Sequence, residues 1–391
     1  VGNDSEKIMI NYPEYGFYEY DGKAYYDKLA VLDAALIKRD YNPYINFNFN
    51  DHVYSKVDWE IDPPFTIQEL YKLRAQQLRD EYDYLVLMYT GGSDSREALY
   101  SFLNNGIFLD EVVTIHPKKL TEKMPIVEDT EHDSAFIFEY QLTTVPGLKE
   151  IHKLSPKTKI EIVDMSDDLL KFYKDDNYFC DKSHMSQFGV HHTIKSNCGL
   201  QYLRKASEGK GKVGVIYGVD KPKVFLRNDS LFCIFADVGR TGSQVQRPSN
   251  AVNFTPKMFF STPDMPLIHV KQCHLVKNAI EKIPLIYNSF REFAKMPHGG
   301  PFKAQNVIKQ IIYPNWNNNL FQATKNGYVF TWMEEKDFLN YVEPGMGQVC
   351  DDRKRSFFNR YGKFNLDSTH TWMMNITGKP YYIGNINPPR S

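Results

Sequence analysis

The run Thr90-Gly91-Gly92-Ser93-Asp94-Ser95 holds the residue types with the clearest chemical use in this 391-residue chain. Two glycines admit backbone conformations and close approaches that a Cβ would block, so successive N–H groups can converge there on the oxygens of a polyphosphate. Ser95 is placed to cap the helix that follows, and the positive end of that helix favours an anion at the same spot. A second turn, Gly218-Val219-Asp220-Lys221, follows a later apolar run and would face the same crevice.

Both turns need elements to position them, and the residue pattern supplies candidates. Residues 84–89 are an uninterrupted apolar run, as in a strand buried on both faces. Ala98, Leu99, Phe102 and Leu103 then share one helical stripe that stops at Asn105-Gly106. Strands are expected at 112–115, 159–163 and 213–217, and helices at 134–142, 167–173 and 186–206. This alternation over residues 83–220 predicts an α/β fold, a parallel sheet flanked by helices, with ligands outside the carboxyl ends of its strands.

Upstream, Thr66 and Glu69 have capping-box spacing, and Ile67, Leu70, Tyr71, Leu78 and Tyr82 recur at helical intervals. Residues 223–236, turning at Asn228-Asp229, read as a hairpin appended to the sheet. Three regions follow: a strand-and-turn segment at 1–62, the α/β domain at 63–249, and a mostly helical accessory region at 250–391 with helices at 266–283 and 330–341.

Composition narrows the classes. Lys+Arg 47 against Asp+Glu 48 gives a net charge of -1, which weighs against a dedicated nucleic-acid binder. Five cysteines without a CxxC pair argue against a disulfide scaffold or a zinc ribbon. No apolar run reaches the length of a membrane span, and Val1 to Ser5 lack the character of a signal peptide, so a cytoplasmic protein is expected. Aromatic residues make up 14% of the chain and would suit pockets or interfaces, so oligomerisation stays open.

The glycine loop resembles the modified phosphate loop of the PP-loop ATP pyrophosphatase superfamily, the adenine nucleotide α-hydrolase-like (HUP-like) proteins, whose usual form is Ser-Gly-Gly-x-Asp-Ser. Thr90 replaces the first serine and keeps a hydroxyl. The resemblance implies that Thr90, Gly91, Gly92, Ser93 and Ser95 contact the phosphates of ATP and that Asp94 binds Mg2+. The strand at 112–115 resembles the one whose backbone reads adenine, which gives that role to Ile115. The turn at Gly218 resembles part of a Gly-Glu-Gly-x-Asp-Glu turn of the asparagine-synthetase-like branch. There Asp220 would join Asp94 on the metal, as the hard oxygen ligand magnesium prefers, and Lys221 would balance the charge of departing pyrophosphate.

What the resemblance implies is an adenylating ligase forming C–N bonds. It would cleave ATP to AMP and pyrophosphate, activate a small carboxylate or amide-forming acceptor, and take an amine or ammonia donor from outside the chain. Two alternatives stand beside it: a nucleotide-binding assembly or regulatory protein without turnover, and a PP-loop enzyme modifying nucleosides or tRNA. Other signals are weaker. Cys180, His184, His191, His192 and Cys198 match no zinc-finger spacing. GxxxxGK[ST] does not occur. Arg240, Arg247, Lys257, Lys271 and Lys277 follow the sheet and could reach the crevice, and Ser261 to Asp264 could line an acceptor pocket or simply turn into a helix.

Overall fold

The computed structural model describes residues 15–26, 28–122, 140–174, 190–237, 253–296, 304–316, 340, 344–345, 348 and 376–389. The chain opens with β1 (Phe17–Tyr20), β2 (Lys23–Tyr25), α1 (Lys28–Ile37), β3 (Asn46–Asn48) and α2 (Asp51–Tyr54). The three strands form an antiparallel sheet in the order β2-β1-β3. Within the described part of the segment expected as strand and turn, these strands stand beside two helices, α1 and α2.

Next come α3 (Ile67–Glu81), β4 (Tyr84–Met88), α4 (Ser93–Leu103), β5 (Glu111–His116) and α5 (Lys118–Thr121). A π-helical turn (Tyr140–Thr144) runs into α6 (Val145–Leu154), followed by β6 (Lys159–Asp164), α7 (Ser166–Lys174), α8 (Val190–Ala206) and β7 (Val213–Tyr217). Helix α3 begins with the expected capping box: the Thr66 side chain accepts from the Glu69 amide, and the Glu69 carboxylate accepts from the Thr66 amide. The helix expected at 134–142 lies mostly outside the described residues; its last three positions belong to the π-helical turn.

After β7 come β8 (Lys223–Arg227), β9 (Ser230–Ile234), β10 (Phe254–Met258), α9 (Leu267–Lys282), α10 (Pro284–Ala294), α11 (Gln305–Ile312) and β11 (Tyr381–Asn385). The central layer is a five-stranded parallel sheet in the order β10-β7-β4-β5-β6. Its apolar runs divide between two faces with a period of two. Leu85 and Leu87 of β4, Val112 of β5 and Ile216 of β7 enter one core with α3, α4 and α9. Val86, Val113, Ile115, Val213 and Val215 enter the other, with Cys198 and Leu203 of α8. A strand enclosed on both sides has no room for polar alternation, which is why 84–88 is apolar throughout.

Two expectations are corrected here. The hairpin turns at Asn228-Asp229, where both residues take positive φ as a tight turn between twisted strands requires. However, it does not extend the parallel sheet. β8 and β9 join β11 in a separate antiparallel sheet of order β11-β9-β8. In addition, β10 extends the parallel sheet past residue 249 by pairing with β7 from Phe254–Val213 to Met258–Tyr217. The region after 250 thus contributes strands as well as helices. The helix expected at 330–341 lies almost wholly outside the described residues. No helix among the described residues is long and apolar enough to cross a membrane.

Strand order fixes where a ligand can enter. From β4 the chain proceeds through β5 to β6 on one side, and from β7 it proceeds to β10 on the other. The connections leaving β4 and β7 therefore diverge, and the carboxyl ends of these two neighbours mark the place where open parallel sheets form their ligand crevice. Residues 89–95 and 218–222 are the segments at its lips.

Candidate active site

The first lip is a folded loop rather than a loose turn. Gly91 has φ of +78°, and a Cβ there would stand 2.7 Å from the Thr144 backbone nitrogen. Glycine is therefore required both for the conformation and for the close approach. Thr144 Oγ1 donates to the Thr90 carbonyl at 2.6 Å, and the Gly92 amide donates to Thr90 Oγ1 at 3.3 Å. Thr143 and Thr144 are both buried against this loop.

Gly92, not Ser95, is the N-cap of α4, and it provides no side-chain cap. That corrects the expected role of Ser95. Its hydroxyl is buried two residues inside the helix, where it accepts from the Thr90 amide at 3.2 Å and donates to the Gly92 carbonyl at 3.2 Å. Ser95 thereby shapes the loop. Because no side chain caps the first turn, that end of α4 keeps its positive character, and Gly92, Ser93 and Asp94 all remain partly exposed.

The second lip is docked onto the first. A Cβ on Gly218 would lie 2.7 Å from the carbonyl carbon and oxygen of Asp94 and from Ser95 Cα, so the turn after β7 touches the first turn of α4 backbone to backbone. Lys221 reaches across and donates to both Asp94 oxygens, at 2.5 and 2.6 Å. Tyr313, just past α11, donates to Asp94 Oδ1 at 2.5 Å. Lys223 pairs with Asp220. Ser261 ties the turn down, accepting from the Asp220 amide and donating to the Asp220 carbonyl, each at 3.2 Å.

Burial sets the electrostatics. It pushes the Lys223 ammonium below its ordinary value, against the pull of Asp220. It also pushes the Tyr313 hydroxyl well above its usual range, with Asp94 adding in the same direction. Behind the site, burial lowers His269 to about 4, opposed by the nearby Asp220. One turn beyond Asp94, Glu97 is raised to about 7 by burial, while hydrogen bonds from the Asn315 side chain and amide pull it back. Both of those bonds measure 3.0 Å.

Of the residues expected to act, the structure brings together Thr90, Gly91, Gly92, Ser93, Asp94, Ser95, Gly218, Asp220 and Lys221. Ile115 lies buried on the neighbouring strand. Val113 turns its carbonyl toward β4, where it accepts from the Tyr89 amide at 2.8 Å. With a period of two, Ile115 directs its backbone polar groups the same way, and pairing between β4 and β5 ends at Met88–Val113. At the end of β5, the His116 ring stacks on Tyr140 at 3.7 Å with the planes 4° apart.

Other expected cations are used elsewhere. Lys257 pairs with Asp264 at 3.1 Å, Lys271 with Asp62 at 2.8 Å and Lys277 with Glu281 at 2.8 Å. Arg240 and Arg247 lie outside the described residues, as do Cys180 and His184. Cys198 is buried and its thiol donates to Asp168. Among the described residues no group of three or more His, Cys, Asp or Glu could hold a metal ion by itself.

Tyr313, Lys223, Gln305, Thr143 and Thr144 belong to the site and were not expected from the sequence. Lys223 lies three positions after Asp220, and that proximity was a usable signal. Tyr313 lies 219 positions from its partner Asp94, and nothing local marks it. Neither a family model nor any curated protein matches this chain.

Proposed function

We propose that the crevice between β4 and β7 binds ATP in the manner of the PP-loop (HUP-like) ATP pyrophosphatases, and that the protein is an adenylating ligase. The observation that carries this proposal is the docking of the Gly218–Lys221 turn onto the Gly91–Ser95 loop at the point where the strand order diverges. That docking gathers two carboxylates and two lysines around an uncapped helix N-terminus.

In this proposal the Gly91-Gly92 loop and the first amides of α4 cradle the phosphates. The backbone of Ile115, on the edge that β4 leaves unpaired, reads the adenine. Asp94 and Asp220 suit Mg2+, which is commonly held by one or two carboxylates together with substrate phosphates; when bound, it would neutralise charge on the leaving pyrophosphate. An acceptor carboxylate oxygen attacks the α phosphorus, the bond to the bridging oxygen breaks, and pyrophosphate departs with its electrons. Lys221 and Lys223 offset the charge that accumulates on it. An amine or ammonia then displaces AMP from the acyl adenylate. The protein contributes position and charge, the two requirements of such transfers.

The test is AMP and pyrophosphate release from ATP and Mg2+ across carboxylates with amine donors and across nucleosides. Acceptor-dependent AMP formation is expected with a carboxylate, and Asp94→Asn should lower it about 100-fold or more without altering the circular dichroism spectrum. Unchanged AMP formation by that variant would refute the role of Asp94. AMP formed only with nucleosides would redirect the proposal to base modification.

One observation favours a second function, nucleotide binding without turnover. Asp94 and Asp220 are each already satisfied by a lysine, and Tyr313 closes over Asp94. ATP retained by equilibrium dialysis with no AMP in any reaction would select it.

A further inference from the structure

The charged groups of the crevice are paired against one another. Lys221 holds Asp94, Lys223 holds Asp220, and the lysine side chains are only 11% and 5% exposed. Hydrogen bonds outside the two ion pairs help to hold the surrounding framework. Tyr313 and Ser261 anchor Asp94 and the Asp220 backbone, while Gln305 accepts from Lys223 at 3.2 Å and donates to the Pro222 carbonyl at 3.0 Å. What can move are the lysine stems, which are long, flexible and tipped with freely rotating donors.

We infer that this site takes a divalent cation and a polyphosphate as a mutually dependent pair, because each ligand requires the groups that the other releases. This inference rests on the nucleotide reading above. A cation arriving alone must displace Lys221 from Asp94 and Lys223 from Asp220, and it leaves two enclosed ammonium groups without counter-charge. Uncompensated charge in such surroundings is the expensive case. A polyphosphate arriving alone draws the same lysines away and takes the ammonium groups from the Asp94 and Asp220 carboxylates. When both arrive, the lysines exchange carboxylate for phosphate oxygens, the carboxylates exchange ammonium for the cation, and no group is stranded. By linkage, each ligand must tighten the other by the same factor.

The experiment measures Mn2+ binding by the full chain from the electron paramagnetic resonance signal of the free ion, and ATP retention by dialysis with Mn2+ or with EDTA. Since ATP binds Mn2+ in solution, the deciding comparison is Mn2+ alone across variants. Lys221→Met takes the ammonium away from Asp94 and should bind Mn2+ about tenfold more tightly than wild type, with the benefit of added ATP reduced correspondingly. Lys221→Arg grips Asp94 with two parallel bonds and should bind Mn2+ more weakly than wild type. Should Lys221→Met not fold, the Lys221→Arg comparison still decides. Equal Mn2+ affinity in the folded proteins would overturn the inference. Failure of wild type to retain ATP at saturating Mn2+ would instead remove the nucleotide reading, a separate result from the Mn2+ series.

Discussion

Opposite ends of the same parallel strands carry ionic clusters built in contrasting ways. At the amino ends, Glu111 is completely buried at the start of β5 and accepts from Tyr84 at 3.0 Å, Lys159 at 2.9 Å and Tyr202. Its partners open β4 and β6 or lie on α8, so the cluster ties elements already held by hydrogen-bond ladders. At the carboxyl ends, Asp94 in the first turn of α4 and Asp220 in the turn after β7 are partly exposed, and their partners Lys221 and Lys223 stand in that same turn and at the first position of β8. Removing either cluster would cost stability, but only the second stands beside a helix N-terminus that no side chain caps. A buried ion pair joining the starts of neighbouring strands reads as architecture; one joining a helix N-terminus to the turn at a switch point reads as a site.

The contrast breaks most severely at Gly218. Gly218→Val pushes a branched side chain into the backbone of Asp94 and Ser95, where there is no flexible atom to yield. The two lips must then part. With the lips displaced, ATP affinity measured by dialysis should fall at least about tenfold, the equivalent of about 1.4 kcal/mol. The amino-end cluster should persist, seen as retained far-ultraviolet circular dichroism. ATP affinity within threefold of wild type would show that the docked turn is not part of the site.

Smaller and more graded is the effect of Glu97, a buried acid beside the site. Its carboxyl is pushed up to about 7 by burial, against an ordinary value of 4.5. The folded protein therefore holds this proton more tightly than the unfolded chain does. The stability this group contributes is fully present below about pH 4.5, declines as pH rises toward 7, and is lost above that. The slope reaches at most about 1.4 kcal/mol per pH unit. Glu97→Gln removes the proton-binding difference, so the variant should gain on wild type as pH increases through this window in urea unfolding. Parallel stability profiles would sink the assignment.

Much of the frame was legible in the residues because its signals are local. The apolar run of β4, the glycines of the loop and the stripe of α4 each follow from what their own neighbours must bury or permit. Strand β10 was harder to see because Pro256 interrupts it, and proline argues against a strand. It is tolerated here since β10 forms the edge of the sheet, where a missing amide deprives no neighbour. The hairpin could be read from its turn, but its sheet partner β11 lies about 150 residues further along, beyond any periodicity. The site divides the same way: Gly91, Asp94 and Asp220 are announced by turn chemistry, while Tyr313 and Gln305 arrive through tertiary packing that no local pattern encodes.

The finest comparison makes one chemical change at both ends of the sheet. Tyr202→Phe removes a donor to Glu111, and Tyr313→Phe removes a donor to Asp94. Each loses a hydrogen bond to a charged group while keeping the ring, so each should cost about 1–2 kcal/mol in denaturant titration. Their ligand phenotypes should separate. Tyr202→Phe leaves ATP retention unchanged, because Glu111 never faces the crevice. Tyr313→Phe loosens a carboxylate that has to be released from Lys221 and re-aimed, and it should alter ATP retention in the presence of Mn2+ severalfold. Equal ligand affinity in both variants, at equal loss of stability, would mean that Tyr313 merely fastens α11 to the domain and that the site ends at Lys221.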